Sequence, residues 1–250
     1  MGIINSTPDS FHAASRKGDL ERAKEMFANG ADWIDIGGES TRPGADKISI
    51  EEEINRTIPL VKEVSKFCNV SIDTRNVEVA KLALEAGAKM INDVSGLRDK
   101  AMQDLVLESE CHVCIMHMLG EPGNMQDDPQ YTDVVDEVNS MLISKARELV
   151  EKGHSMDKIH LDPGIGFGKK LEHNIALLKS NSDLKPYSVL WGVSRKTMIG
   201  EICNQTDTAN RLSGSLAVAA KAFYEGIDII RVHDVREHVD LFSVLERLEE

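Results

Sequence analysis

The chain has no run of 18 or more apolar residues, so a membrane-spanning helix is not expected. Its first residues lack a charged stretch followed by a long apolar one, so no secretory leader is expected either. Basic residues are not in excess: 29 Lys and Arg stand against 42 Asp and Glu, a formal net charge of −13. That balance argues against a general nucleic-acid or anionic-membrane surface, while leaving room for one local basic pocket. Cysteine is scarce. Of the four, Cys111 and Cys114 form a C-x-x-C, but CHVCIMH reads as a strand, in which residues three apart face opposite ways. Cys68 and Cys203 lack the paired spacing of a zinc site. A reduced, cytoplasmic chain is the expectation. Low-complexity tracts and interdomain linkers are missing too, so residues 1–250 read as one domain.

What the sequence does contain is eight short apolar runs, each ending on a polar group able to do chemistry. MGII ends on Asn5, and WIDI leads into Gly37, Gly38 and Glu39. VSI ends on Asp73, MI on Asn92, VCIM on His117 and IHL on Asp162. VLWGV runs into Ser194, Arg195 and Lys196, and IDIIRV carries Arg231 and then His233. Helical patterns separate the runs. Strands alternating with helices, with chemistry at the strand C-termini, predict an α/β fold of the (β/α)8 TIM-barrel type.

The spacing predicts helices over about 19–29, 50–66, 76–87, 99–109, 132–152, 172–180, 208–225 and 235–248. Asp19 is the expected N-cap of the first, with Leu20, Ala23, Met26 and Phe27 on one face and Gly30 as its stop. Ser49 and Glu52 form a capping-box pattern for the second. Leu212, Leu216, Ala219 and Phe223 should face inward in the seventh, and Val235, Val239, Phe242 and Leu245 in the eighth. Two long loops, about 6–18 and 38–49, follow strand C-termini and are placed to act as lids. The chain starts almost inside its first strand, so either nothing seals the barrel bottom or a short segment precedes Met1.

Arg231 and His233 are two apart and point the same way on a strand. With Lys196 and Arg42 they form a cationic group at one face of an acidic protein, suited to phosphate. Asp73, Asn92 and Asp162 form a second group, rich in acceptors, suited to an aminopyrimidinone edge. DPGIGFGK at 162–169 imitates a phosphate loop but fails it: Pro163 stands where Gly is needed, and Lys170 where Ser or Thr should follow. Its glycines are better read as letting backbone lie close to a flat ligand, with Phe167 offering a ring.

Taken together, GIINSTPDSF (2–11), IDIGGESTRPGA (34–45), SIDT (71–74), INDVSGL (91–97), MHM (116–118), LDPGIGFGK (161–169), SRKTMIG (194–200) and RVHDV (231–235) resemble the dihydropteroate synthase family of pterin-binding enzymes. The resemblance runs the length of the chain, in order. It implies condensation of 6-hydroxymethyl-7,8-dihydropterin pyrophosphate with 4-aminobenzoate, giving 7,8-dihydropteroate and pyrophosphate, with Mg2+ as cofactor and a homodimer as the assembly. It implies pterin binding by Asp73, Asn92, Met116, Asp162, Gly166 and Lys196, and pyrophosphate binding by Thr41, Arg42, Arg231 and His233. Pro43, Phe167, Lys196 and Thr197 would flank the aminobenzoate, and Asn5 the metal. Asp73, Lys196 and Arg42 would carry catalysis. The first loop reads STPDSFHAASRKG where the family commonly has VTPDSFSDGG, and Thr197 replaces a more usual Ser. These departures lie on the acceptor side. The alternatives are a relative using another arylamine, a pterin-dependent methyltransferase serving a corrinoid protein, and a non-catalytic pterin-binding barrel.

Overall fold

The structure is a computed structural model that describes residues 1–6, 13–40 and 48–250, without the side chains of 13–16, 181 and 182. In chain order it runs β1 (Gly2–Asn5), α1 (Ala13–Ala28), β2 (Trp33–Gly37), α2 (Ile50–Val64), β3 (Asn69–Asp73), α3 (Val77–Glu85), β4 (Met90–Asp93), α4 (Lys100–Ser109) and β5 (His112–Met116). It continues α5 (Val134–Glu151), β6 (Ile159–Asp162), α6 (Leu171–Leu178), β7 (Ser188–Trp191), α7 (Thr197–Cys203), α8 (Leu212–Tyr224), β8 (Ile229–Ile230) and α9 (Val235–Glu249).

The strands lie in sequence order, β1 to β8, and every neighbouring pair is parallel. A parallel bridge from Gly2 to Val232 closes the ring, with Ile3 N–H donating to the Val232 carbonyl at 3.0 Å. This is the expected (β/α)8 barrel. The pleat sorts the strand side chains into two sets. Ile34, Ile36, Val70, Ile72, Ile91, Val113, Ile115, Ile159, Leu161 and Val189 join the main core beneath the helices. Each such fully buried side chain stabilises the fold by roughly 1.5–3 kcal/mol. The alternate set contains Met90, Cys114 and Leu190, packed together with Met1, Trp33 and Ile229 against them. Going up the strands from that layer, the same set continues to Asn92, Met116 and Gly192, so the pleat itself lifts polar groups to the upper mouth.

Local corrections to the sequence reading have physical causes. Helix α1 begins at Ala13, so Asp19 is inside it rather than its cap, and the Asp19 carboxylate accepts from Ser6 Oγ at 3.3 Å. Phe27 is 45% exposed and meets the Phe67 ring instead of the core. Ser49 Oγ caps α2 by accepting from the Glu52 N–H at 3.1 Å, but the Glu52 carboxylate takes Arg56 Nε at 2.6 Å. In α8 the small residues Ser215, Ala219 and Ala222 take the buried face and let the helix sit close to the barrel. Phe223 is pushed to the flank, where it stacks on Phe242 at 6.3 Å. Helix α7 was not expected at all. The C-x-x-C does split across the strand: Cys114 lies in the barrel interior, Cys111 in the outer core, and both thiols are free.

Candidate active site

Three strand ends deliver the acceptor group. Asp73 ends β3, Asn92 is the next-to-last residue of β4, and Asp162 ends β6. Asn92 and Asp162 are 4% and 5% exposed. Burial pushes the Asp73 carboxyl up to about 7, against the pull of Arg231 and with the push of Asp35. Burial raises Asp162 as well, with Lys196 as the chief opposing charge, and its Oδ1 accepts from the Gly164 N–H at 2.8 Å.

The cations come from β8 and the turn after β7. Gly192 marks where they meet the carboxylates: a Cβ there would lie 3.7 Å from Asp162 Oδ2, 3.9 Å from Arg231 Cδ and 4.0 Å from Lys196 Nζ. Lys196 is the residue before α7. Its ammonium donates to the Ile165 carbonyl and sits 4.4 Å from the centre of the Phe167 ring. Burial and the Arg231 charge bring Lys196 down to about 8, against Asp162 and Asp73. Arg231 is not a bare anion receptor. Its Nε donates to Asp35 Oδ2 at 2.6 Å and its Nη2 to Asp73 Oδ2 at 2.8 Å. Burial works against the Arg231 charge, but the carboxylates outweigh it and its pKa is raised. His233 leaves the cation count: burial and Arg231 lower it to about 4, so it is a neutral ring at pH 7. It shares a hydrogen bond of 3.1 Å with Ser194 Oγ.

The glycine loop after β6 is a platform built on Lys169, which the sequence reading assigned no role. Lys169 is 3% exposed. Its ammonium donates to the Gly164 and Phe167 carbonyls at 3.0 Å each and to the His117 carbonyl at 3.3 Å, and meets His117 Nδ1 at 3.0 Å. Burial lowers it to about 7. Gly164 has φ +66°, and a Cβ there would overlap the His117 carbonyl oxygen, so only glycine fits. The platform places Gly166 against the Lys196 stem and Phe167 against an apolar cluster of Val94, Met116, Met118 and Met125. One wall is therefore apolar and the floor polar, as a flat heteroaromatic ring requires.

Asn5 ends β1 with its side chain exposed. Thr197 opens α7 and is exposed. Thr41, Arg42 and Pro43 lie outside the described residues. The base of their loop is tied down: Glu39 accepts from Arg75 Nε at 3.1 Å and Nη2 at 2.9 Å, and Arg56 Nη1 donates to the Gly38 carbonyl at 3.0 Å. Two further groups escaped the sequence reading. Asp35 is an acid inside an apolar run, which is itself a usable signal. Asp234 holds Arg195 bidentately at 2.7 and 2.6 Å, so the Arg of SRK faces away from ligand duty.

Comparison with known proteins decides the family. A family model described as pterin binding enzyme matches residues 1–233. The chain is 42% identical to the dihydropteroate synthase of Escherichia coli (strain K12), covering 98% of this chain and 90% of that one. It belongs to the dihydropteroate synthase family of pterin-binding enzymes. Among solved structures, Yersinia pestis dihydropteroate synthase with a sulfonamide drug complex superposes with a TM-score of 0.93 at 39% identity, covering 100% and 93% of the two chains. The Burkholderia cenocepacia enzyme complexed with 7,8-dihydropteroate gives 0.92 at 42% identity, covering 100% and 90%. Among the described residues no helix is long and apolar enough to cross a membrane.

Proposed function

We propose that this chain is a dihydropteroate synthase: it joins the methylene of 6-hydroxymethyl-7,8-dihydropterin pyrophosphate to the amine of 4-aminobenzoate and releases pyrophosphate. The observation that carries this reading is the meeting of Asp162, Lys196 and Arg231 around Gly192, with Asp73 ion-paired to Arg231. It juxtaposes a carboxylate pocket for a donor-rich ring with cations for a departing diphosphate. The relatives named above, one bound to 7,8-dihydropteroate, support it.

Asp73, Asn92 and Asp162 take the ring's N–H edge, Lys196 a ring acceptor, and Met116, Gly166 and Phe167 its faces. The C–O bond to pyrophosphate breaks as the ring nitrogens share the positive charge left on the methylene. Asp73 is assigned to stabilise that charge, and its ion-pair partner Arg231 to take up charge on the leaving oxygen. His233, neutral, donates to the diphosphate. The aminobenzoate nitrogen then forms the C–N bond and gives up its proton to the departing diphosphate or to water. Phe167, Thr197 and the Lys196 stem are assigned to flank it, and of the residues outside the described ones Pro43 is assigned to the aminobenzoate and Thr41 and Arg42 to the diphosphate.

Mg2+ fits Asn5. Its amide oxygen is a hard donor at an exposed strand end, and magnesium usually takes few protein ligands besides substrate phosphates. Among the described residues there is no group of three or more His, Cys, Asp or Glu side chains that could hold a metal ion. When bound, the ion neutralises diphosphate charge. A homodimer in the cytoplasm, acting as one domain over residues 1–250, completes the reading. The test is product mass and pyrophosphate release from the two substrates with magnesium. Dihydropteroate with one pyrophosphate per turnover is the expected result; pterin binding without condensation would move the assignment to another arylamine or to a binding protein.

A further inference from the structure

Asp35 sits in the middle of β2, is 0% exposed, and has no packing reason to be charged. A carboxylate buried this deeply is costly unless paired, and valine or isoleucine would fill a strand position at no such cost. Its Oδ2 accepts from Arg231 Nε at 2.6 Å and from Asn92 Nδ2 at 3.2 Å, while its Oδ1 has no hydrogen-bond partner. One oxygen therefore joins a residue of the pterin pocket to the cation of the diphosphate site.

The choice of nitrogen matters. Nε is the inner nitrogen of the guanidinium, so a carboxylate held on it fixes the plane and leaves the terminal nitrogens outward. Nη2 then reaches Asp73 at 2.8 Å with a single contact. Without Asp35, the guanidinium is free to turn and grip Asp73 with two parallel bonds, the geometry arginine and carboxylate prefer. Asp73 would be locked in an ion pair, and Arg231 withdrawn from the leaving group.

We propose that Asp35 is a positioning residue, anchoring Arg231 by Nε so that one guanidinium serves both Asp73 and the departing diphosphate. This rests on the synthase reading above and adds a residue to it. Asp73 is faced by Arg231 just after β8, Asp35 from β2, Glu53 from α2 and Asp93 from β4, with Lys196 beyond. Of these, Asp35 is the carboxylate that shares Arg231 with it.

The test uses Asp35→Asn, whose amide oxygen can still accept from Nε, and Asp35→Glu, which keeps the charge but displaces it. The Asp73 carboxyl is titrated by carbon NMR in aspartate-labelled enzyme, and kcat and KM are measured with magnesium. In Asp35→Asn the Asp73 midpoint should fall by about one pH unit, because the Asp35 charge that pushes it up is gone and the neutral amide holds Nε less firmly. The kcat should fall roughly 100-fold, as misplacement of a reacting partner does, with a much smaller change in aminobenzoate KM. Asp35→Glu should leave the midpoint within about half a unit and still lose kcat. An unmoved midpoint in Asp35→Asn, or kcat within about twofold of the parent in both variants, overturns the inference. The NMR titration needs no turnover, so failure of the parent to condense the substrates would sink the synthase reading without deciding the role of Asp35.

Discussion

Replacing Asp73 by Asn should make the protein more stable at alkaline pH while disabling it. Burial holds the Asp73 carboxyl at about 7 in the fold, against 3.8 as the ordinary value. Between those values the folded protein keeps a proton that the unfolded chain has released. The unfolded state then binds fewer protons, so stability falls as pH rises from about 4 and levels off above about 7. A gap of roughly 3 units corresponds to at most about 4 kcal/mol, and relaxation and water entry reduce such penalties, so ~1–3 kcal/mol is the working figure. Asn keeps the shape and an oxygen for Arg231 Nη2 and cannot ionise. Differential scanning calorimetry should show the melting point of Asp73→Asn raised by about 3–10 °C at pH 8. At pH 4.5, where the penalty has mostly vanished, the two proteins should melt within about 3 °C of each other. Activity should fall at least ~100-fold at both values. A variant that melts below the parent at pH 8, or whose gain is the same at both pH values, would refute the reasoning.

Other sites give simpler expectations. Lys169→Met strands three carbonyls and a ring nitrogen, so chemical denaturation should show a loss of ~2–4 kcal/mol. Gly164→Ala drives a Cβ into the His117 carbonyl at positive φ; it should cost more than about 3 kcal/mol or abolish soluble expression, whereas Ala at the open, exposed Gly123 should change the melting point by under ~3 °C. Arg195→Lys exchanges a bidentate pair with Asp234 for a point contact, and the melting point should drop by roughly 2–4 °C with kcat nearly kept. Phe167→Leu removes the ring beneath Lys196, and the KM for the arylamine should rise about threefold to tenfold.

The sequence made the barrel legible because each strand is an apolar run and each run stops at a polar residue. Asp73, Asn92 and Asp162 follow from that rule, since they stand at or beside strand ends. Asp35 does not, because it lies inside WIDI, two residues before Gly37, whereas Glu39 is the acid beyond the run's end. Alternation would have found it: Trp33, Asp35 and Gly37 share a face, and β2 pairs Asp35 with Ser71 on β3. Lys169 stands where a phosphate-loop lysine would, in a segment that lacks the rest of that motif, so its sequence context gives it no role. Its partners are carbonyls brought near by Gly164 and by the end of β5, contacts that no local pattern encodes. The start of α1 was misplaced because Ala13 to Gly18 carry no apolar periodicity. Helix α7 went unseen because seven residues are too few to establish a period.

The acidic composition and the diphosphate ligand look contradictory, and burial resolves them. Surface charges more than about 8 Å apart are largely screened at physiological salt, so an excess of exposed acids repels a large anionic surface but acts weakly inside a pocket. Arg231 and Lys196 are held within the barrel mouth, where screening is weak and each charge is felt at full strength by its neighbours. The same condition makes them interdependent. Arg231 is tolerable because Asp35 and Asp73 flank it, and those two are tolerable because Arg231 lies between them. Removing Arg231 would leave two acids uncompensated in a medium that hydrates them poorly, whereas neutralising Asp73 leaves Arg231 paired with Asp35. A diphosphate entering beside Arg231 brings new negative charge against two carboxylates already present. Its binding is therefore favoured by whatever takes negative charge out of that cluster, and proton uptake by Asp73 is the most accessible route. Diphosphate affinity should accordingly be higher at pH 6 than at pH 8. Isothermal titration of inorganic pyrophosphate with magnesium, in two buffers of different ionisation enthalpy, would show the linked proton, and the part of it that is lost in Asp73→Asn belongs to Asp73 rather than to the ligand's own ionisation at about pH 6–7.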